Sequence, residues 1–259
     1  YKEVRKLRQP QKTGKPGYRQ RDNVEHEEYN GVHSNFHGEL NNQNGVNLYE
    51  RILTRNNLNQ AYLQVVRNKG AAGVDGMTYD QLLPHLKEHR EELLTKLHDG
   101  TYSPQPVVRV EIPKPNGGVR KLGIPTVIDR MIQQAINQVL QPIFDPTFSD
   151  NSFGFRPKRS AHQAIIQAKS YYEQGYRYVV DMDMKAYFDT VNHDKLMYYI
   201  EEKVKDKRVL HLIRQYLKSG IMVNGLVQAS KEGTPQGGNL SPLLSNIYLN
   251  EFDKLLTIR

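Results

Sequence analysis

The sequence contains no cysteine, which excludes disulfides and thiolate metal sites and fits a reducing compartment. No apolar run is long enough to cross a bilayer, and the basic N-terminal stretch is not followed by the hydrophobic segment of a signal peptide. A soluble cytoplasmic protein with no membrane partner is the expectation. Acidic residues are in deficit: 28 Asp and Glu stand against 36 Lys and Arg, giving a net charge of +8 and a pI near 9.4. That balance suits a polyanionic partner without proving one. Residues 1–46 lack apolar periodicity and are rich in Lys, Arg, Gln, Asn, Gly and His, the composition of a basic flexible arm. From Lys2 to Arg21 the arm carries eight cations against the single acid Glu3, so it can lie along phosphates or remain a solvated tail. His26, His33 and His37 lack an accompanying carboxylate or cysteine framework and read as surface residues.

With 259 residues, the chain can bury one large core or two modest ones. Apolar residues from Leu48 to Val66 recur at helical spacing and predict two short helices, with Asn56 and Asn57 as the break. The glycine-rich run from Lys69 to Gly76 lacks the Gly-Lys-Ser/Thr ending of a phosphate loop and reads as a surface loop. Thr78 and Gln81 have capping-box spacing and open a helix through Leu97. His85 and His89 lie four apart on that helix, but the Glu of the metalloprotease motif is missing between them.

Val107 to Ile124 predicts a hairpin about Pro115 to Gly118, from which Arg109, Lys114, Arg120 and Lys121 project. Such a ribbon can grip phosphates, or its charges can merely guard a sheet edge. Thr126, with Asp129 three residues on, caps a helix whose apolar face runs from Ile128 to Leu140. The loop Phe148 to Arg159 interleaves three aromatics with basic residues and suits stacking on a nucleic-acid strand, or else anchors itself to the core. Ser160 caps a helix to about Tyr172; further helices are expected over 193–204, 206–219 and 243–256, with a second hairpin about Asn224-Gly225.

Between them, Arg177 to Asp183 reads as a short buried strand that delivers Asp181 and Asp183, followed by Tyr187 and Phe188. Carboxylates at the end of a buried strand suggest a divalent cation site; a solvent-facing cap is the alternative. Strand alternation would put both acids on one face, and periodicity does not choose between them.

Four runs in register carry a resemblance: Lys121 to Thr126, Phe153 to Pro157, Asp183 to Asp189, and Pro235 to Pro242. In this order they resemble the group II intron-encoded reverse transcriptase/maturase family from about Leu48 onward. The resemblance implies an α+β fold: the fingers and part of the palm of a right-hand polymerase, preceded by a helical extension. The corresponding division is an arm over 1–46, the extension over 47–100, fingers over 101–175 and partial palm over 176–259.

What the family implies for function is RNA-directed DNA polymerisation for a mobile intron, with binding of the intron RNA and assistance in its splicing. Asp183 matches the first catalytic aspartate, a ligand of a two-metal Mg²⁺ site to which the Met184 carbonyl would add an oxygen. Phe188 matches the aromatic that packs under the deoxyribose and excludes a 2′-hydroxyl. Lys114 and Arg120 match the residues that hold the incoming triphosphate, and Gln236 one that packs on the nascent base pair. Arg156, Lys158 and Arg159 fall in a loop expected near template or primer. The implied partners are an intron RNA template, a DNA primer and deoxynucleoside triphosphates; a homodimer stays open. The family's Tyr-Xaa-Asp-Asp motif is missing, since no Asp-Asp pair occurs in the chain. The expectation is therefore a fragment, inactive alone, with one essential metal ligand absent. A non-catalytic RNA-binding maturase module, or a retron or diversity-generating reverse transcriptase, is the alternative.

Overall fold

The computed structural model describes residues 48–257 apart from 115–116, 185–186, 224, 230–231 and 235–236. The basic arm with its three histidines, and Gln236, lie outside the described residues.

The apolar pattern of 127–144 dictates the centre of the molecule. Helix α4 (Val127–Phe144) buries Val127, Met131, Ile132, Ala135, Ile136, Val139 and Leu140, a spacing of three and four that makes a broad face. Thr126 caps it, its Oγ1 accepting the Asp129 amide at 3.1 Å. Two helices before it, α1 (Leu48–Leu53) and α2 (Arg55–Asn68), pack on α4, as does α9 (Ser241–Thr257) near the end of the chain. Helix α7 (His193–Glu201) packs between α9 and α8 (Lys207–Lys218). Ile132 and Ile136 have no solvent exposure, and truncating either to Ala should cost about 2–5 kcal/mol. Helix α3 (Leu82–His98) joins this core through the fully buried Leu82 and Leu97. No helix among the described residues is long and apolar enough to cross a membrane.

The break between α1 and α2 falls at Thr54, not at Asn56-Asn57 as the sequence predicted. Asn57 is held inside α2 because its amide donates to Ile52 O at 2.9 Å and Ala135 O at 3.0 Å. A residue that favours helix ends thus serves as a strut between helices.

Both predicted hairpins form. β1 (Val107–Pro113) pairs antiparallel with β2 (Val119–Ile124), and β3 (Ile221–Val223) with β4 (Leu226–Gln228). They merge through a parallel pairing of β1 with β3, Val107 opposite Ile221, into one sheet of order β2-β1-β3-β4. The fold is therefore α+β, with a small mixed sheet beside a helical core.

The buried strand expected over Arg177–Asp183 is not there. Tyr178, Val179 and Val180 have no regular secondary structure and are 98%, 92% and 79% exposed, and no described segment pairs with them. A strand needs a ladder partner for its amides and carbonyls and cover for its side chains; neither is available among the described residues. With no pleat, alternation no longer sets the relative facing of Asp181 and Asp183. Helix α5 (Ala161–Glu173), just before this segment, is capped by Ser160 as expected, yet buries no residue.

Candidate nucleotide-binding site

The glycine-flanked loop before α9 ties three elements together. On one side, Gly233 N donates to Val191 O at 2.8 Å and Thr234 N donates to Phe188 O at 2.7 Å. The buried His193 ring closes the clamp: its Nε2 lies 2.6 Å from Gly233 O, and because a carbonyl only accepts, that nitrogen carries a proton. Gly233 has φ +87°, and a Cβ there would sit 2.7 Å from Phe188 O. The loop is therefore fastened directly to the short helix α6 (Tyr187–Thr190).

On the other side, Gly237 meets the first hairpin. Its φ is +119°, and a Cβ would clash with the Gly123 carbonyl and lie 3.0 Å from Leu122 Cδ1. Asn239 completes the bridge by donating to Gln134 Oε1 on α4 at 3.1 Å. Gln236, between these anchors, lies outside the described residues.

The hairpin register sorts its cations. Cross-strand partners share a face and alternate residues return to it, so Val110, Ile112, Leu122, Arg120 and Lys114 form one face, Lys114 facing Gly118 across the turn. Arg109 and Lys121 lie on the opposite face with Glu111. The four cations read from sequence are thus two sets, and the pair Lys114 and Arg120 shares its face with Leu122, whose side chain meets the glycine loop. Both cations are exposed, and an ammonium and a planar guanidinium on one face suit phosphate oxygens.

The two aromatics after the acidic segment divide their roles. Tyr187 packs against the core, donates to Ser245 O at 3.2 Å and is held above the usual phenol pKa by burial. Phe188, half-buried, meets it edge-on at 5.3 Å and carries the carbonyl that holds the loop. Asp181, Asp183 and Met184 precede them on an exposed stretch. Their carboxylate and carbonyl oxygens fit Mg²⁺ in kind, but among the described residues no group of three or more His, Asp or Glu gathers to hold a metal. His85 and His89 stack face to face at 4.3 Å and His89 Nδ1 lies 3.2 Å from His85 O, consistent with a helix-surface pair.

The aromatic-basic loop corrects one expectation. Arg156 does not face a strand of nucleic acid; its side chain is 4% exposed. Its guanidinium donates to Asp145 Oδ1 at 2.9 Å, Ser149 O at 2.7 Å, Ser152 O at 3.0 Å and Asp145 O at 3.0 Å. The planar fork suits several carbonyls of one tight loop, and that demand outcompetes display. Arg159 reaches Asp150 at 3.2 Å and lies over the Phe153 ring. Lys158 is exposed, and Phe155 is 69% exposed; both have positive φ, +60° and +54°. Non-glycine residues rarely adopt that conformation, so the Arg156 anchor holds Phe155 and Lys158 outward at some cost.

One polar cluster escaped sequence reading. Asp129, predicted only as a cap partner, is 1% exposed and accepts from Tyr102 Oη at 2.7 Å, Thr126 Oγ1 at 2.7 Å and Gln105 N at 3.1 Å. Burial raises its pKa despite those three donors. It locks the start of β1 to the start of α4, and only the Thr126-to-Asp129 spacing hinted at it. The glycine-rich run over 69–76 is likewise structural: Ala71 O accepts from Arg130 Nη2 at 2.6 Å, and a Cβ on Gly73 would meet Thr126.

The hairpin, the glycine-flanked loop and the aromatic turn are thus linked to one another through Gly237 and Gly233. Residues 112–259 match the family described as reverse transcriptase (RNA-dependent DNA polymerase), and the chain belongs to that family. It is 41% identical over 210 residues to the group II intron-encoded protein LtrA of Lactococcus lactis subsp. cremoris, covering 81% of this chain and 35% of that protein. With protein YkfC of Escherichia coli K12 it shares 43% identity over 195 residues, 73% of this chain and 51% of YkfC. The chain thus spans about half of the one relative and about a third of the other. A putative COX1/OXI3 intron 2 protein of Saccharomyces cerevisiae is 33% identical over 200 residues, 76% of this chain and 23% of that protein. Among solved structures, a chain of a partial Cas6-RT-Cas1--Cas2 complex superposes with a TM-score of 0.55 at 23% identity, covering 82% of this chain and 35% of that one; the likeness is one of fold. The resemblance drawn from the four motifs is borne out at the level of family.

Proposed function

We propose that this chain is the nucleotide- and RNA-holding part of a group II intron reverse transcriptase, an RNA-directed DNA polymerase that also binds its intron RNA and assists splicing. The observation that carries the reading is the convergence of the Lys114 and Arg120 face, the 233–240 loop and Phe188, three pieces separated in sequence and joined by backbone hydrogen bonds and glycine contacts. In this reading Lys114 supplies a mobile point charge and Arg120 a fork for the triphosphate. Phe188, braced by Tyr187, presents its ring to the sugar and leaves no room for a 2′-hydroxyl. Gln236 rests on the nascent base pair. Lys158 and Arg159 lie beside template or primer, with Arg156 in a supporting role.

Asp183 and the Met184 carbonyl would hold Mg²⁺, which when bound supplies electrophilic stabilisation of phosphoryl oxygens. The parent enzyme uses an RNA template, a DNA primer and deoxynucleoside triphosphates. In the full-length protein, Asp183→Asn should abolish metal-dependent deoxynucleotide incorporation and leave RNA affinity nearly intact; unchanged incorporation refutes the assignment. The 259-residue chain, with no adjacent aspartate pair, should bind RNA without extending a primer, and any extension by the purified chain refutes that.

A further inference from the structure

A cavity of about 310 Å³ opens where the end of α3 meets the start of α8, with no residue of the 233–240 loop or the hairpin in its lining. Beneath it lie buried apolar and aromatic residues: Leu97, Leu212 and Tyr49 are 1%, 4% and 3% exposed. Its rim is different in kind. His98, Lys207 and His211 are exposed there, and the Arg208 guanidinium lies 4.7 Å from the Tyr49 ring centroid. Tyr102 and Gly100 complete the wall, and no carboxylate lines it among the described residues.

Two nearby acids, Asp206 and Glu50, are engaged with the backbone and with Arg208. Asp206 caps α8, accepting from Arg208 N at 3.0 Å and from Tyr49 N at 3.0 Å. Glu50 Oε1 accepts from Arg208 Nη1 at 2.6 Å, which fixes the guanidinium plane over the ring. Asp206 already caps the start of α8, and side chains are what the cavity offers a ligand. Those side chains are the Arg208 guanidinium, the His98 and His211 imidazoles and the Lys207 ammonium, in a volume at the lower end of small-ligand sites.

We propose that this cavity receives a single unpaired nucleotide of an RNA strand. The base would stack on the Arg208 guanidinium, which Glu50 holds over the buried Tyr49 ring, with the imidazoles at its edges, and the adjoining phosphates would meet Lys207. Unpaired, splayed-out bases stacked on aromatic and guanidinium planes are how proteins read RNA outside its deep grooves. The proposal rests on the RNA-binding reading above and adds to it a second point of contact, where the end of α3 meets α8.

The test uses the 259-residue chain with histidine rings labelled for NMR and two RNA hairpins differing only in one bulged adenosine, at one salt concentration. His98→Gln and His211→Gln assign the two ring signals. The bulged hairpin should move both signals and bind about tenfold more tightly than the paired one, the effect of one stacked base. Lys207→Ala with His211→Ala should erase that preference while affinity for the paired hairpin falls far less. Equal binding of the two hairpins, or a preference that survives the double variant, overturns the proposal and leaves the RNA-binding reading standing. Binding of neither hairpin overturns both. If adenosine monophosphate moves the two signals as far as the bulged RNA while the hairpins bind equally, the cavity is a free-nucleotide site and the RNA assignment fails.

Discussion

Replacing Arg156 separates what the sequence suggested for this residue from what the fold does with it. Arg156→Met keeps the length of the side chain and removes four hydrogen bonds of 3.0 Å or less, leaving Asp145 and three carbonyls without their donor. Breaking one side of a buried ion pair costs about 3–5 kcal/mol. Asp145 is 26% exposed and can regain water, and Ser149 and Ser152 are only half-buried, so the lower end, about 3 kcal/mol, is expected. Arg156→Lys keeps the charge but not the fork and should lose roughly half as much. Urea unfolding followed by tyrosine fluorescence is a clean reporter, since the chain has 16 Tyr and no Trp. Should the loop detach locally instead, the amides of Ser152 and Arg159, bonded to Ser149 O and Arg156 O, will exchange faster with deuterium. In either case the salt dependence of RNA binding should keep its slope. Wild-type stability and exchange, with a slope about 0.7 shallower, would mean that Arg156 neutralises a phosphate and that the structural argument is wrong.

Three further outcomes follow from the geometry. Gly237→Ala should lift the loop from Gly123, because both the positive φ and the missing space oppose a Cβ; weakened nucleotide binding by the full-length protein, with the urea midpoint little changed, is expected, and unaltered binding refutes the loop's role. Burial raises the Asp129 pKa in the folded state, so the unfolded chain ionises first and the group's contribution to stability declines as pH rises from about 4 toward the folded value. Asp129→Asn should therefore show a flatter stability profile over that range than wild type, and parallel profiles would contradict it. Deleting residues 1–21 should flatten the salt slope of RNA binding by about 0.7 for each phosphate the arm neutralises; an unchanged slope makes the arm a tail.

The elements with their own periodicity or caps were readable in advance. α4, α5 and α8 carry apolar stripes or capping residues strong enough to declare them, and each hairpin has its turn residues. The failures share a cause, in that each depended on what lay opposite. The run around Val179 has the composition of a buried strand, but composition does not supply a ladder partner. Asn57 has the composition of a break, but the Ala135 carbonyl was within its reach. Arg156 sits among aromatics as a nucleic-acid contact would, and only the curl of its own loop reveals that its donors are consumed. The candidate site was legible as residue types, through resemblance. That Lys114 and Arg120 share the Leu122 face, while Arg109 and Lys121 do not, followed from register, which the turn sequence alone does not fix.

The parallel seam between β1 and β3 has a consequence for how the chain reaches its fold. Each hairpin is local and can close within microseconds, but pairing Val107 with Ile221 closes a loop that holds everything from β2 through α8. Closing so long a loop carries an entropic cost that the few bonds of the seam do not offset by themselves. The sheet should therefore be completed last, after the helices around α4 have packed, and refolding should show a slow step reported by strands rather than by helices.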